Sequence, residues 1–219
     1  MSIKLIIFDM DGVLVDACDL HYMALNNALH DKAGFIISRE EHLAKFNGIP
    51  TKKKLEKLVL TGRLSSDLID EISDLKQQYT SSLASEMINF DHNIFSVLNY
   101  LWTSKKYKLA CYTNSIRSTA EDMLKRVGAF GFLDLIISNE DVSVPKPSPR
   151  GYIKVMEYFD ISPEETLIYE DSPVGLAAAF ASKARYVIKV ASFEDIRKTT
   201  YYLDELKELQ NEHTYTNGW

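Results

Sequence analysis

The sequence predicts an α/β protein built on a parallel β-sheet, with a helical segment inserted after the first strand. Two observations carry this prediction. Short, nearly continuous apolar runs of strand length alternate with helical patterns along most of the chain, as expected for buried parallel strands joined by right-handed crossovers. The stretch 17–92 breaks this alternation, because it contains helical patterns but no such apolar run.

Five runs rich in Ile, Leu, Val and Tyr predict the strands of the sheet. They cover residues 5–8, 109–112, 133–137, 167–169 and 186–190. Gly128 is expected to end the helix before the third strand. Apolar residues at helical spacing predict the helices between the strands: Phe95, Leu98, Leu101 and Trp102; Ala120, Met123, Leu124 and Val127; Tyr152, Ile153, Met156 and Phe159; and residues 174–180.

The inserted stretch carries two apolar stripes at helical spacing, which predict packing surfaces rather than ligand sites. We therefore expect two domains. Residues 1–16 and 93–219 would form an α/β core domain, and residues 17–92 would form a helical domain. The stripes consist of Leu55, Leu58 and Val59, and of Leu68, Ile69, Ile72 and Leu75.

Composition and charge exclude several classes of protein. The 219 residues are 46% apolar and 26% charged, which is typical of a globular protein. A net charge of -6 disfavours binding to nucleic acids and to anionic membrane surfaces. No stretch reaches the roughly 18 apolar residues of a membrane span, and the N-terminus lacks the apolar segment of a signal peptide. We therefore expect a cytoplasmic protein.

The two cysteines, Cys18 and Cys111, lack the spacing and the partners of a zinc site. Cys111 lies in the second predicted strand. Its apolar neighbours predict a buried thiol with a packing role.

The first of four motifs places Asp9, Asp11 and Gly12 directly after the first predicted strand. Ligands of open α/β sheets bind beyond the carboxyl ends of the strands. One carboxylate there can attack phosphorus, while the other protonates a leaving alkoxide and then activates water. Gly12 permits a turn in which main-chain N–H groups approach a phosphate. A calcium loop is the alternative, but the further acidic positions of an EF-hand are absent.

The second motif, Thr113, Asn114 and Ser115, follows the second predicted strand. A hydroxyl group and neighbouring N–H groups in this position can bind phosphate oxygens at a helix N-terminus. The alternative is a plain helix cap formed by Asn114 or Ser115.

The third motif is Lys146, held between Pro145 and Pro147 in a loop after the third predicted strand. Prolines restrict the main chain on both sides of this lysine. Its ammonium group could neutralise a phosphate or the attacking carboxylate. The alternative is a solvated loop lysine.

The fourth motif, Glu170 and Asp171, follows the fourth predicted strand. Carboxylate oxygens with few protein ligands suit Mg²⁺. The alternative is helix capping by Asp171 or Ser172 before Pro173.

These four motifs, in this order, resemble the signature of the haloacid dehalogenase superfamily. The resemblance covers essentially the whole chain. It implies a Rossmann-like, doubly wound parallel sheet with an inserted helical cap domain. The closest resemblance is to the subgroup of sugar-phosphate phosphatases and β-phosphoglucomutases. Because Asp11 supplies a proton donor that carbon–halogen hydrolases lack, the resemblance points to phosphoryl transfer.

The resemblance also implies a role for each matched residue. Asp9 would form an aspartyl-phosphate, Asp11 would act as general acid and base, and Lys146 would stabilise charge. Gly12, Thr113 and Asn114 would bind the phosphate. Mg²⁺ would contact the Asp9 carboxylate, the Asp11 carbonyl and Asp171, with Glu170 at or just beside the metal.

The inserted segment is expected to set specificity. In mutase-like relatives a histidine near the position of His21 contacts the site; the alternative is a surface or core histidine. Lys52 lies in a stretch that resembles the substrate loop of relatives, where it could meet an anion. Lys53 and Lys54 are predicted to form a solvated helix face instead.

The leading functional hypothesis is a Mg²⁺-dependent phosphatase that acts on a small phosphorylated metabolite, such as a sugar phosphate. A phosphohexomutase and a non-catalytic binding module are the alternatives. Residues 201–219 read as helical and then polar, with Trp219 at a frayed end. They do not distinguish a monomer from a homodimer.

Overall fold

The structure, a computed structural model, describes residues 2–201 and residue 203. The predictions for residues 204–219, including Trp219, lie outside this part. Contacts divide the chain into two compact units. Unit 1 comprises Met1–Val15 and Phe90–Trp219, and unit 2 comprises Asp16–Asn89.

Unit 1 contains a sheet of five parallel strands in the order β3-β2-β1-β4-β5. This confirms the predicted α/β class and the parallel sheet. Each predicted strand is present within two residues of its expected ends. The strands are β1 (Leu5–Phe8), β2 (Lys108–Tyr112), β3 (Leu135–Ile137), β4 (Thr166–Glu170) and β5 (Tyr186–Lys189).

The central strand β1 is completely buried. Its four side chains are apolar and point alternately to the two faces of the sheet, as in a sheet covered on both sides. Phe8 pairs in register with Cys111 of β2 and with Tyr169 of β4. These three strands therefore end within one residue of the same level, so the loops that follow them start side by side. Cys111 is buried, as predicted.

The helices of unit 1 connect the strands and cover the sheet. On one face, α7 and α8 pack against Leu5, Ile7 and Ile168. Gly128 ends α6 in the left-handed conformation, as predicted, with φ at 84°. The helices are α5 (His92–Ser104), α6 (Arg117–Val127), α7 (Arg150–Phe159), α8 (Pro173–Ala181) and α9 (Phe193–Tyr201).

The apolar stripe predicted for α5 is partly wrong. The helix forms where expected, and it buries Leu98 and Leu101 together with Ile94. Phe95 and Trp102, however, are 37% and 45% exposed. Apolar residues spaced three and four apart can belong to either of two adjacent stripes on a helix surface. Packing against the rest of the protein decides which of the two stripes is buried.

Unit 2 contains four α-helices and one short 3-10 helix, Ser66–Leu68, and, among residues 16–89, no strand, as predicted. Its core joins Leu25 and Leu29 to Leu55, Leu58 and Ile72. Three of the four α-helices therefore contribute apolar side chains that isolated helices could not bury. The four α-helices are α1 (Cys18–Ala33), α2 (Arg39–Lys45), α3 (Thr51–Leu60) and α4 (Ile69–Met87).

The solvated helix face predicted for α3 is present at one position and absent at the other. Lys53 is exposed and pairs with Glu56. Lys54, in contrast, is only 6% exposed, so the prediction is wrong for this residue. A run of charged residues in a sequence does not show whether the aliphatic part of a lysine side chain is buried.

None of the helices in the described part of the chain combines the length and the hydropathy needed to span a membrane.

Candidate active site

Four loops at the carboxyl edge of the sheet carry the residues that the sequence analysis selected. Asp9 and Asp11 follow β1, Thr113 follows β2, Lys146 lies between β3 and α7, and Asp171 follows β4. At β1 the strand order changes direction, and ligands of open α/β sheets bind at such switch points. The topology therefore places these residues where a ligand is expected.

Asp9 is a buried carboxylate at the centre of this edge, with 6% of the residue exposed. Its main-chain N–H donates to the carbonyl of Tyr169 at 2.9 Å. Its Oδ1 accepts a hydrogen bond from Nζ of Lys146 at 2.5 Å. Burial raises the pKa of Asp9 well above its usual range, Glu170 raises it further, and Lys146 opposes both. Ionisation of Asp9 therefore calls for additional positive charge.

Lys146 is also buried, with 3% of the residue exposed. Besides Asp9, its Nζ donates to Oε1 of Glu170 at 2.6 Å. Burial lowers the pKa of Lys146, but the two carboxylates outweigh burial and raise it well above its usual range. The alternative of a solvated loop lysine is therefore wrong.

Asn114 fixes the main chain of Lys146. Its Oδ1 accepts from the N–H of Lys146 at 3.0 Å, and its Nδ2 donates to the carbonyl of Lys146 at 3.3 Å. These two bonds tie the loop after β3 to the end of β2. Contact between Asn114 and a substrate phosphate stays a prediction.

Both carboxylate oxygens of Glu170 accept hydrogen bonds from protein groups. Oε1 accepts from Lys146 and, at 3.3 Å, from the hydroxyl of Tyr152. Oε2 accepts from the N–H of Ser172 at 2.9 Å and from its hydroxyl at 3.2 Å. Ser172 also accepts from the N–H of Gly175 and caps α8, so the capping alternative holds for this residue.

Asp11 is half-buried and is oriented by Ser115, whose Oγ donates to its Oδ2 at 3.1 Å. The alternative for the second motif is a helix cap formed by Asn114 or Ser115. That alternative is wrong, because the N-cap of α6 is Ile116 and has no side-chain bond. The sequence shows a hydroxyl residue at position 115, but it does not show that the partner of this hydroxyl is Asp11, 104 positions away in the chain.

Thr113 lies buried at the end of β2. Its main-chain N–H donates to the carbonyl of Ile137 at 3.0 Å, and its Oγ1 accepts from the N–H of Ser115 at 3.0 Å. The oxygen is thus engaged as an acceptor, so the hydroxyl proton can be offered to an anion.

Gly12 and Asp171 lie in direct contact across the site. Gly12 has φ at +87°, and a Cβ atom there would lie 2.2 Å from Oδ2 of Asp171. Glycine is therefore required by conformation and by space, since the loops after β1 and β4 approach this closely.

Most of the chain matches a known family. The model of the haloacid dehalogenase-like hydrolases matches residues 6–189. The chain belongs to this family. The resemblance inferred from the four motifs is thereby confirmed.

Proteins similar in sequence to this hydrolase carry phosphatase names. The phosphorylated carbohydrates phosphatase of Thermotoga maritima is 26% identical over 204 residues, which are 93% of this chain and 88% of the relative. Pyrophosphatase PpaX of Bacillus mycoides is 23% identical over 214 residues, covering 95% of this chain and 96% of the relative. The crystal structure of β-phosphoglucomutase from Clostridium difficile shares the fold, with a TM-score of 0.75 at 23% identity, covering 90% of this chain and 88% of that chain.

The acidic residues of this hydrolase fit a divalent cation. One oxygen each from Asp9, Glu170 and Asp171 lies within 4.8 Å of the others. Oδ1 of Asp171 is buried and accepts no hydrogen bond from the described residues. Burial, then Glu170 and Asp11, raise the pKa of Asp171 to about 7. A cation among these oxygens would satisfy the buried atom and offset the repulsion.

The remaining predicted site residues lie in unit 2. His21 is on α1, with its Nδ1 3.3 Å from Nζ of Lys76. Lys52 is exposed on α3 and pairs with Asp70 at 2.7 Å. Contact of His21 and Lys52 with a substrate stays a prediction.

Proposed function

We propose that this hydrolase is a Mg²⁺-dependent phosphatase that acts on a small phosphorylated metabolite through an aspartyl-phosphate at Asp9. One observation carries the proposal: the buried Asp9 carboxylate is held at one oxygen by Lys146, with Asp11 two residues away on the same loop. The phosphatase names of the relatives support the same reaction class.

In the first step a carboxylate oxygen of Asp9 would attack phosphorus, and the bond from phosphorus to the leaving oxygen would break. Lys146 donates to Oδ1, which orients the carboxylate and leaves the other oxygen for the attack. The leaving alkoxide would take a proton from Asp11, so that no free alkoxide is released. Ser115 holds the carboxyl group of Asp11 in place.

In the second step water would attack the phosphorus of the aspartyl-phosphate. Asp11, now ionised, would accept a proton from this water, and the bond from phosphorus to Asp9 would break. The second step thus regenerates both carboxyl groups. A single residue can serve as acid and then as base because the two steps require opposite proton transfers.

The residues that would hold Mg²⁺ are Asp9 and Asp171, joined by the main-chain carbonyl of Asp11. The ion would supply positive charge for the phosphoryl oxygens and for the crowded carboxylates. Glu170 is less suited as a direct ligand, because protein donors already occupy both of its oxygens.

The phosphoryl group would be bound by Thr113 and by main-chain N–H groups near Gly12, with Asn114 as a further contact. We include His21 and Lys52 of unit 2 as contacts to the remainder of the substrate. The relatives named for carbohydrate phosphates make sugar phosphates the first class to test.

The test is release of inorganic phosphate from a panel of phosphorylated sugars, nucleotides and small acids, with and without Mg²⁺. We expect Mg²⁺-dependent release by the wild type and loss of at least about 10³-fold in kcat for Asp9→Asn, because the nucleophile is removed. Asp16→Asn, at an exposed position close in sequence, is the matched control and should retain wild-type turnover.

Two results would contradict the proposal. Full turnover by Asp9→Asn would exclude Asp9 as the nucleophile. Conversion of sugar 1-phosphates into 6-phosphates without net phosphate release would identify a mutase instead.

A further inference from the structure

Two tyrosine rings enclose the ammonium group of Lys146. Nζ lies 4.8 Å from the ring centroid of Tyr112 and 5.1 Å from that of Tyr152. The rings meet edge to face, with centroids 4.9 Å apart and an interplanar angle of 89°. Both residues are fully buried. The ammonium group thus lies between two carboxylates and two aromatic rings, which attract a cation within about 6 Å.

Tyr152 also contacts the carboxylate that competes with Asp9 for Lys146. Its hydroxyl donates to Oε1 of Glu170 at 3.3 Å, and Lys146 donates to the same oxygen at 2.6 Å. The other oxygen of Glu170 is held by the N–H and the hydroxyl of Ser172. Glu170 is therefore fixed at both oxygens, so its position decides how far Nζ is drawn away from Asp9.

Packing alone does not explain a tyrosine at this position. Val155 and Met156 of the same helix α7 fill the core with purely apolar side chains. A buried phenol hydroxyl is costly unless it finds a partner, and here the partner is a carboxylate of the site. The hydroxyl of Tyr152 thus gives Glu170 a hydrogen bond that phenylalanine would not supply.

We propose that Tyr152 is a positioning residue for Lys146, acting through its ring and through Glu170; this inference rests on the proposed phosphatase function. The ring limits the sideways motion of the ammonium group, and the hydroxyl weakens the pull of Glu170 on it. Together they keep Nζ on Oδ1 of Asp9, where it orients the nucleophile.

The experiment compares Tyr152→Phe and Tyr152→Leu with the wild type in the phosphate-release assay. One hydrogen bond corresponds to roughly 3- to 10-fold in rate, which is the loss of kcat expected for Tyr152→Phe. Loss of the ring as well should lower kcat by about 100-fold in Tyr152→Leu. KM and the Mg²⁺ concentration for half-maximal activity should stay at wild-type values, because neither substrate nor metal is contacted.

Tyr158, on the same helix and 66% exposed, provides the matched control. Tyr158→Phe and Tyr158→Leu should retain wild-type kcat. Wild-type kcat in Tyr152→Phe would overturn the proposal in favour of a packing role. A loss that appears in KM or in the Mg²⁺ requirement would also overturn it.

A second readout does not depend on activity. Crystal structures of wild type and Tyr152→Phe should show a longer distance between Nζ of Lys146 and Oδ1 of Asp9 in the variant, with the contact between Nζ and Glu170 retained. An unchanged contact between Lys146 and Asp9 would refute positioning. If the wild type released no phosphate from any substrate, the proposed function would fail while this comparison still tested the role of Tyr152.

Discussion

At the scale of single residues, His42 is a buried group that no motif or spacing in the sequence points to. It lies on α2 with no exposed surface, and neither ring nitrogen has a hydrogen-bond partner among the described residues. Burial, followed by the charge of Lys54, lowers the pKa of His42 from 6.5 to about 4. The folded protein thus keeps this imidazole neutral under conditions in which the unfolded chain protonates it.

This difference predicts a pH dependence of stability. Between pH 6.5 and about pH 4, His42 is protonated in the unfolded state but neutral in the folded state. The stability of the protein therefore falls as the pH falls through this window. We expect His42 to account for about 2 kcal/mol of the stability lost between pH 7 and pH 5. Urea denaturation at both pH values should show this contribution removed in His42→Phe.

His30→Gln is the control for that measurement, because the side chain of His30 is 72% exposed. This variant should keep the wild-type difference between the two pH values. If His42→Phe kept it as well, the imidazole would not be the group responsible.

At the scale of elements, the N-terminus of α8 is built around the Glu170 carboxylate. Gly175 lies in the first turn of this helix, and a Cβ atom there would lie only 1.6 Å from Oε1 of Glu170. The N-terminal end of a helix favours a negative charge, and Ser172 adds its capping bonds. Helix and carboxylate therefore fix each other, and through Glu170 the helix fixes Lys146.

Gly175→Ala should be destabilising although alanine favours helices. Helix propensity would contribute about 1 kcal/mol of stabilisation, whereas the clash forces Glu170 or the helix to move at a cost of about 1–3 kcal/mol or more. We expect a lower urea midpoint and a kcat reduced at least about 10-fold, because Lys146 follows Glu170.

Gly131→Ala is the matched control, since a Cβ atom at Gly131 meets nothing within 4 Å. It should leave both the midpoint and kcat close to wild type. Wild-type turnover in Gly175→Ala would show that the position of Glu170 does not matter for the reaction.

At the scale of the whole molecule, the carboxyl edge of the sheet concentrates negative charge in unit 1. In the described part of the chain, four carboxyl groups meet there around the ammonium group of Lys146, and burial, together with the repulsion between these groups, raises the pKa values of Asp9 and Asp171. The four are Asp9, Asp11, Glu170 and Asp171. Folding therefore gathers repelling charges, and a bound cation would stabilise the whole fold.

Thermal unfolding with and without Mg²⁺ tests this linkage. An excess of about 100 times Kd would stabilise the wild type by about 2.7 kcal/mol and raise its Tm by roughly 5–10 °C. Asp171→Asn should lose this response, because it removes a proposed ligand. Without metal it should unfold at a higher temperature than the wild type, because it removes one of the repelling charges.

Glu157→Gln, an exposed substitution on α7, should keep the wild-type response to Mg²⁺. A full response in Asp171→Asn would contradict the assignment of Asp171 as a metal ligand.

The sequence by itself determined the class of fold and the positions of the four motifs. Buried parallel strands need apolar side chains on both faces, so runs such as residues 5–8 and 167–169 can be read without a structure. Loops at the ends of such strands carry ligand-binding residues, which made Asp9, Thr113 and Lys146 visible as candidates.

Only the tertiary structure decided how these residues are held. Asp11 and Ser115 are 104 positions apart, and Lys146 and Asp9 are 137 apart. No local pattern encodes such pairs, because they depend on the order in which strands join the sheet. Tyr152 reads as an ordinary core residue of an amphipathic helix until its hydroxyl is seen on Glu170. Periodicity shows which face of a helix is buried, whereas the partner buried with it is set by packing across the whole molecule.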